Sequence, residues 1–176
     1  FMQNKTIFLD RDGVINKESH YVFKIDDFEF IEGIFDVCQY FQELSYKIII
    51  VTNQSGISRG FYSEADYRKL TKWMVSEFKK NNIYILDTFH CPHVQDSNCY
   101  CRKPKPGMLL KAKERHNIDM QNSWMIGDKE TDIIAANRSG ITNTILVKSD
   151  HKINQNNSSA KYTLESIHLI NQVIIT

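Results

Sequence analysis

The chain has 176 residues, of which 41% are hydrophobic and 24% are charged, and its 22 lysine and arginine residues exceed its 21 aspartate and glutamate residues by one. This composition is typical of a globular protein and excludes disordered, collagen-like and coiled-coil classes. The balanced charge, the absence of an apolar run of roughly 20 residues and the absence of a signal-peptide pattern predict a cytoplasmic protein with no nucleic-acid or membrane partner. We expect a monomer, because no interface stripe stands out beyond the core pattern.

Short apolar runs alternate with amphipathic stretches along the whole chain. The run at 47–52 is β-branched and unbroken and predicts a strand, whereas apolar residues at helical spacing predict a helix over 33–45. The same patterns predict strands at 6–9, 84–90, 124–126 and 143–147, a long helix after Ser63 that carries Tyr67, Leu70, Met74 and Phe78, and helices at 108–116 and 130–139.

The last part of the chain is less regular. Residues 151–161 are polar and are predicted to form a surface loop, and 164–175 are apolar enough for a packing helix or strand. Strands separated by helices of the observed length predict right-handed βαβ units. We therefore predict an α/β fold, one domain over 2–176 with a doubly wound parallel sheet, in which ligands bind beyond the carboxyl ends of the strands.

Two carboxylates follow the first predicted strand, in the sequence Asp10-Arg11-Asp12-Gly13. Side chains at i and i+2 on a turn can point into one crevice, where their mutual repulsion requires a cation. The alternative is an Asp-rich turn that caps a helix.

Polar residues also follow two later strands. Thr52-Asn53-Gln54-Ser55-Gly56 offers a hydroxyl and backbone N–H groups that suit an anion, although a plain polar loop is the alternative. Gly127 permits a sharp turn before Asp128, and Asp132 lies near the start of the next helix. Either aspartate could cap that helix. Capping does not explain why three separate strand ends carry such residues.

Three thiols and one imidazole lie within eleven residues: Cys91, His93, Cys99 and Cys101. This donor set matches the tetrahedral N/S preference of zinc, so we predict a structural Zn²⁺ that braces a loop over 91–101 and leaves no open coordination position. Unrelated surface cysteines or a strained Cys99–Cys101 disulfide are the alternatives. Cys38, on the apolar face of a helix, is expected to pack in the core.

All three prolines, Pro92, Pro104 and Pro106, lie in the same stretch. They restrict the backbone. Arg102 and Lys103 would therefore occupy fixed positions suited to a bound anion, whereas a solvated basic run is the alternative for these two residues and Lys105.

Taken together, these strand ends resemble the haloacid dehalogenase superfamily of phosphotransferases. The matching segments are Asp10-Arg11-Asp12-Gly13-Val14, Thr52 at the end of a hydrophobic strand, a following lysine, and Gly127-Asp128-Lys129-Glu130-Thr131-Asp132. The resemblance implies that Asp10 is a nucleophile that forms an aspartyl phosphate and that Asp12 is the general acid and base. Lys103 and Thr52 would stabilise charge on the transferring phosphoryl group.

The same resemblance implies a catalytic Mg²⁺ held by the carboxylates of Asp10 and Asp128 and by the backbone carbonyl of Asp12. Hard oxygen ligands suit Mg²⁺ rather than zinc. Asp132 is expected to position Lys103 or the metal-binding loop. Few residues separate Asp12 from Gly33, so no cap domain is expected, and the active site should be open with the zinc loop as its rim.

Within the superfamily, the chain is similar to the D-glycero-D-manno-heptose 1,7-bisphosphate phosphatases, with the histidinol-phosphate phosphatases as their nearest relatives. The similarity runs from about Ile7 to Val147. It implies a heptose bisphosphate substrate in nucleotide-activated heptose, lipopolysaccharide or capsule synthesis. By resemblance, substrate recognition falls on Glu18, Ser19, His20, Tyr21, Thr52, Asn53, Gln54, Ser55, Arg102, Lys103 and Lys129, with Arg102 placed to hold a second phosphate.

One departure from the heptose phosphatase pattern concerns the zinc loop. Only five residues, Val94 to Asn98, separate His93 from Cys99, whereas many of these phosphatases carry a longer insert there. Because that loop borders the substrate, histidinol phosphate stays open as an alternative substrate. A phosphoacceptor receiver domain and a non-catalytic zinc-braced module are further alternatives, but neither explains the complete set of catalytic groups.

Overall fold

β-branched and apolar runs form the central strands of the sheet, and polar residues stand where these strands end. The computed structural model describes residues 2–149 and 157–175. Within these residues the strands are β1 Thr6–Leu9, β2 Lys47–Asn53, β3 Ile85–Cys91, β4 Trp124–Gly127, β5 Asn143–Val147 and β6 Tyr162–Leu164. The helices are α1 Ile34–Glu43, α2 Glu64–Lys80, α3 Gly107–His116 and α4 Glu130–Arg138, with short 3-10 turns at Ile25–Asp27, Met120–Asn122 and Ile167–Gln172.

The strands form one sheet in the order β3-β2-β1-β4-β5-β6, and every neighbouring pair is parallel. The chain builds outward from β1 through β2 and β3, then returns to the other side of β1 for β4. This reversal makes the carboxyl end of β1 a topological switch point, where α/β folds bind ligands. The predicted doubly wound α/β fold is confirmed.

Apolar clusters cover both faces of the sheet. One packs α1 and α2 against side chains such as Ile7 and Ile48, and the other packs α3 and α4 against side chains such as Phe8 and Ile49. Successive strand residues thus face opposite clusters, as the pleat requires. In the described structure the segment between β1 and α1 contains only a short 3-10 turn, in agreement with the expected lack of a cap domain.

The N-terminus of α2 is fixed by the residue that the sequence indicates. Ser63 Oγ accepts from the backbone N–H of Asp66, and the Asp66 carboxylate accepts from the N–H of Ser63, which completes a capping box. The apolar residues predicted for this helix are all buried: Tyr67, Leu70, Met74 and Phe78.

The tail forms two short elements rather than one. Tyr162–Leu164 adds a sixth strand beside β5, and Ser166 caps the 3-10 turn by accepting from the N–H of His168. Ile167, Ile170 and Ile174 bury their side chains in the cluster on the α1 side. Residues 151–156 of the predicted surface loop lie outside the described residues. No helix in the described part of the chain is long and apolar enough to cross a membrane.

Candidate active site

The end of β1 and the end of β4 lie in direct contact. Gly13 has φ +90°, and a Cβ built on it would lie 2.1 Å from Asp128 Oδ2. Any side chain at position 13 would therefore displace the Asp128 carboxylate as well as strain the backbone. Gly127 has a similar role, because its Cβ would lie 2.3 Å from Asp132 Oδ2. Gly13 thus allows the turn after β1 to approach Asp128 at the end of β4, and Gly127 allows the Asp132 side chain to fold back onto its own turn.

Lys103 supplies a buried positive charge at this crevice. Its Nζ donates to Asp10 Oδ1 at 2.9 Å, to Asp132 Oδ1 at 2.6 Å and to the backbone carbonyl of Val51 at 2.8 Å, so all three donors of the ammonium are engaged. Burial acts to lower the pKa of Lys103, but the charges of Asp10 and Asp132 outweigh burial and raise it. The side chain therefore stays charged and orients both carboxylates.

Three carboxylates have oxygens within 4.8 Å of one another: Asp10, Asp128 and Asp132. Asp128 Oδ1 is buried without a hydrogen-bond partner, whereas its Oδ2 accepts from Ser149 Oγ at 3.0 Å. Burial, and then the charges of Asp10 and Asp132, raise the pKa of Asp128 far above its usual range. A buried oxygen without a donor beside other acidic groups fits a divalent cation with oxygen ligands.

Both oxygens of Asp132 are already engaged. Oδ1 accepts from Lys103 Nζ, and Oδ2 accepts from the backbone N–H of Lys129 at 3.2 Å. Asp132 thus contacts both Lys103 and the turn that carries Asp128, the two groups that the sequence analysis expected it to position.

The Asp12 carboxylate is held apart from the three carboxylates by its own hydrogen bonds. Oδ1 accepts from Arg11 Nη2 at 2.9 Å and from Asn16 Nδ2 at 3.0 Å, and Oδ2 accepts from Gln54 Nε2 at 3.0 Å. Burial acts to raise the pKa of Asp12, but Arg11 and these hydrogen bonds prevail and lower it. Arg11, itself 2% exposed, also donates to the carbonyl of Val22.

The segment after β2 connects the other parts of the site. Asn53 Nδ2 donates to the carbonyl of Lys103 and Asn53 Oδ1 accepts from the N–H of Lys103, both at 3.1 Å. Gln54 Nε2 also donates to Thr52 Oγ1 at 2.9 Å, and the Tyr62 hydroxyl donates to Gln54 Oε1. Thr52 is 1% exposed at the base of this network.

These groups open into a cleft of about 830 Å³. All residues predicted to bind substrate line it except the buried Thr52: Glu18, Ser19, His20, Tyr21, Asn53, Gln54, Ser55, Arg102, Lys103 and Lys129. Lys129 Nζ donates to Glu18 Oε1 at 3.1 Å across the cleft. Sequence reasoning missed Arg138, Tyr62 and Gln95 in this lining, and it read Lys105, which also lines the cleft, mainly as a solvated charge.

Sequence reasoning also missed the partners of Asp12. Asn16 is four residues further along the same segment, and its amide next to an Asp-x-Asp-Gly turn was the available signal. For Ser149 no local signal exists, because it approaches Asp128 from a distant part of the chain.

The cysteine and histidine side chains predicted as zinc ligands come together at the rim of the cleft. The ligand atoms of Cys91, His93, Cys99 and Cys101 all lie within 4.8 Å of one another. His93 Nδ1 lies 3.3 Å from Cys101 Sγ and 3.5 Å from Cys91 Sγ, and Cys91 Sγ lies 3.8 Å from Cys99 Sγ and 2.8 Å from Cys101 Sγ. Donors of a tetrahedral zinc ion are about 3.5–3.8 Å apart, which three of these separations match or approach, whereas the sulfurs of Cys91 and Cys101 lie closer together than the ion requires. The donor set of three sulfurs and one nitrogen suits zinc, and these two sulfurs would move apart to hold it. The cysteines are free thiols, which rules against the Cys99–Cys101 disulfide.

Comparisons with known proteins show to which proteins this chain is similar. A family model for HAD-hydrolase-like proteins matches residues 100–168. The D-glycero-alpha-D-manno-heptose-1,7-bisphosphate 7-phosphatase of Campylobacter jejuni is 51% identical over 151 residues, which cover 86% of this chain and 87% of that protein. The D-glycero-beta-D-manno-heptose-1,7-bisphosphate 7-phosphatase of Pasteurella multocida is 42% identical over 170 residues, 93% and 92% of the two chains.

A solved structure extends the comparison to three dimensions. The D,D-heptose 1,7-bisphosphate phosphatase from B. bronchiseptica, complexed with magnesium and phosphate, superposes with a TM-score of 0.82 at 26% identity and covers 96% of each chain. The chain therefore belongs to the haloacid dehalogenase-like phosphatases, a family of phosphoric monoester hydrolases.

Proposed function

We propose that this protein is a Mg²⁺-dependent phosphatase that converts D-glycero-D-manno-heptose 1,7-bisphosphate to the 1-phosphate. The observation that carries the chemistry is the Asp10 carboxylate, held by buried Lys103 at a switch point beside an unpartnered oxygen of Asp128. The names of the relatives from C. jejuni and P. multocida support the substrate. With this substrate, the protein would act in the synthesis of nucleotide-activated heptose for lipopolysaccharide core or capsule.

In the first step Asp10 acts as the nucleophile. A carboxylate oxygen of Asp10 forms a bond to phosphorus while the bond between phosphorus and the C7 oxygen breaks, which gives an aspartyl phosphate. Lys103 orients the carboxylate through Oδ1 and supports charge on the transferring group, together with the Thr52 hydroxyl.

Asp12 moves the protons of both steps. It gives a proton to the departing C7 oxygen, and it later takes one from the water that attacks phosphorus and releases Asp10. Its lowered pKa keeps Asp12 ionised, which is the form that the second role requires. An arriving phosphate dianion opposes this shift, because a like charge raises the pKa of a carboxyl group, and so favours the first role.

The carboxylates of Asp10 and Asp128 and the backbone carbonyl of Asp12 would hold Mg²⁺. Asp128 Oδ1 is the atom that most requires such a partner, since it is buried and accepts no hydrogen bond. The ion would offset charge on the carboxylates and on the phosphoryl oxygens.

Cys91, His93, Cys99 and Cys101 would hold a structural Zn²⁺ that shapes the rim of the cleft. Four protein donors fill a tetrahedral shell, which leaves no position for a catalytic water. Arg102 follows the last ligand directly, and its Nη1 donates to the carbonyl of His93 at 3.2 Å. The zinc loop would thus place Arg102 to bind the second phosphate of the substrate. Three reduced thiols also suit a cytoplasmic location, and we propose a single monomeric domain over 2–176.

A substrate panel tests this function. Purified protein with Mg²⁺ is given both anomers of the heptose bisphosphate and histidinol phosphate, and released phosphate is measured. We expect at least one heptose anomer to be hydrolysed with the higher kcat/KM. A preference for histidinol phosphate would overturn the substrate assignment but not the chemistry.

Asp10→Asn tests the chemistry itself. Loss of the nucleophile should lower kcat by about four orders of magnitude or more, with folding and zinc content unchanged. Asp36→Asn, which changes an exposed carboxylate on α1, is the matched control and should keep full activity. Near wild-type turnover by Asp10→Asn would contradict the mechanism.

A further inference from the structure

The cations that border the cleft fall into two groups. In the first group each cation contacts a carboxylate within 3.1 Å: Arg11 pairs with Asp12, Lys103 with Asp10 and Asp132, and Lys129 with Glu18. Their charge is therefore largely offset within the protein.

The second group contacts only neutral acceptors in the described structure. Arg102 Nη1 donates to the carbonyl of His93 at 3.2 Å, Lys105 Nζ to that of Cys99 at 2.5 Å, and Arg138 Nη1 to that of Pro104 at 3.2 Å. A carbonyl fixes the direction of a donor but does not neutralise its charge. Within residues 2–149 and 157–175, none of the three has a carboxylate ion pair.

All three cations of this second group line the same cleft. Their uncompensated positive charge favours the binding of an anion in the part of the cleft that these three side chains line, apart from the acidic crevice. We propose that Arg138, assisted by Lys105, joins Arg102 in binding the phosphate that is not transferred, and so selects a bisphosphate over a monophosphate. This inference rests on the proposed function, because it assumes that a sugar bisphosphate is the substrate.

The position of Arg138 on α4 suits this role. The helix begins directly after Lys129 at the acidic crevice and rises about 13 Å over its nine residues. Helical side chains lean toward the N-terminus, so the exposed guanidinium of Arg138 reaches back along the helix to Pro104 at the cleft. One donor is engaged there, and the remaining donors of the planar group can bind two phosphate oxygens together.

Steady-state kinetics on Arg138→Gln test the inference with two substrates, heptose 1,7-bisphosphate and heptose 7-phosphate. We expect the KM for the bisphosphate to rise about fivefold, a modest effect because the side chain is exposed, while kcat changes less than twofold. The KM for the 7-phosphate should stay unchanged. Arg138→Lys should recover part of the loss, because it keeps the charge but not the planar fork.

Arg68→Gln on α2 is the matched control, since Arg68 is exposed and does not line the cleft. It should leave both KM values at wild-type levels. An Arg138→Gln variant that raises the KM of both substrates equally, or of neither, would overturn the inference. Failure of the wild-type protein to hydrolyse the bisphosphate would instead refute the proposed function, and that readout does not involve the variant.

Discussion

Two clusters at the carboxyl edge of the sheet favour a cation, and they differ in what holds them together. The acidic cluster of Asp10, Asp128 and Asp132 has the ammonium of Lys103 in its midst, so the chain supplies part of the compensating charge. In the cysteine–histidine cluster Arg102 and Lys105 contact only backbone carbonyls, such as those of His93 and Cys99, and no cation among the described residues contacts the sulfur atoms or the imidazole nitrogen. Residues 92–106 contain neither helix nor strand. The fold preorganises the first cluster, and under the proposed function its metal would serve chemistry, whereas the metal of the second cluster would serve to shape the loop.

Of the variants that test this difference between the clusters, Lys103→Met is expected to change stability and activity most. Removal of the ammonium leaves buried carboxylates without their partner, which should lower the free energy of unfolding by about 3 kcal/mol or more. Activity should fall at least about 100-fold, because a charge on the transferring group is lost. Urea unfolding and phosphate release measure the two effects.

Lys111→Met, an exposed lysine on α3, is the control for that experiment and should change neither quantity. If Lys103→Met unfolds at the wild-type urea concentration, the acidic cluster is not preorganised by its lysine and the comparison fails on that side.

Cys99→Ser tests the other cluster. Loss of one ligand should weaken zinc binding and lower the free energy of unfolding by about 2–3 kcal/mol, which corresponds to a decrease in Tm of roughly 5–10 °C. Zinc content by elemental analysis and thermal unfolding check this. A zinc chelator should lower the Tm of the wild type to that of the variant and should leave the variant unchanged. Equal melting curves for all four samples would argue against a structural metal.

Ser149→Ala sharpens the role assigned to Asp128. Ser149 Oγ holds Oδ2, so its removal should loosen the carboxylate and weaken Mg²⁺ binding about tenfold. Calorimetric titration with Mg²⁺ measures this directly, without turnover. Ser76→Ala on α2 should bind Mg²⁺ like the wild type, and an unchanged affinity for Ser149→Ala would mean that Asp128 is oriented by other contacts.

Ser63→Ala gives the smallest expected effect and lies outside both clusters. Loss of the N-cap of α2 should cost about 1 kcal/mol of stability with kcat unchanged. A change in kcat would show that α2 also supports the catalytic geometry.

The features that the sequence predicts well depend on local patterns. An unbroken β-branched run identifies β2, and short runs of apolar residues identify β1 and β5. The Asp-Gly turn after β1 and the Gly-Asp turn at the end of β4 identify the acidic crevice, because a parallel sheet brings its carboxyl ends to one edge. The clustering of Cys91, His93, Cys99 and Cys101 was also predictable, since four donors of the type that zinc prefers lie within eleven residues.

The remaining features depend on contacts between distant segments. Ser149 follows the end of β5 and Arg138 is the last residue of α4, so neither belongs to a site motif, and the sheet topology alone does not reveal their side-chain directions. The tail was predicted only as helix or strand. Three residues pair with β5 and the isoleucines after Ser166 fill a gap beside α1, and both outcomes depend on tertiary packing rather than on propensity.

The reciprocal hydrogen bonds between Asn53 and the backbone of Lys103 join β2 to the segment that follows the loop over 91–101. These bonds give Lys103 two independent attachments, one to the sheet through Asn53 and one to the loop through the chain itself. Greater mobility of that loop would therefore disturb Arg102 sooner than Lys103, because within residues 2–149 and 157–175 the Arg102 side chain donates only to the loop carbonyl of His93. An increase in the mobility of this loop should therefore reduce the selectivity for the substrate before it reduces the rate of phosphate-ester cleavage.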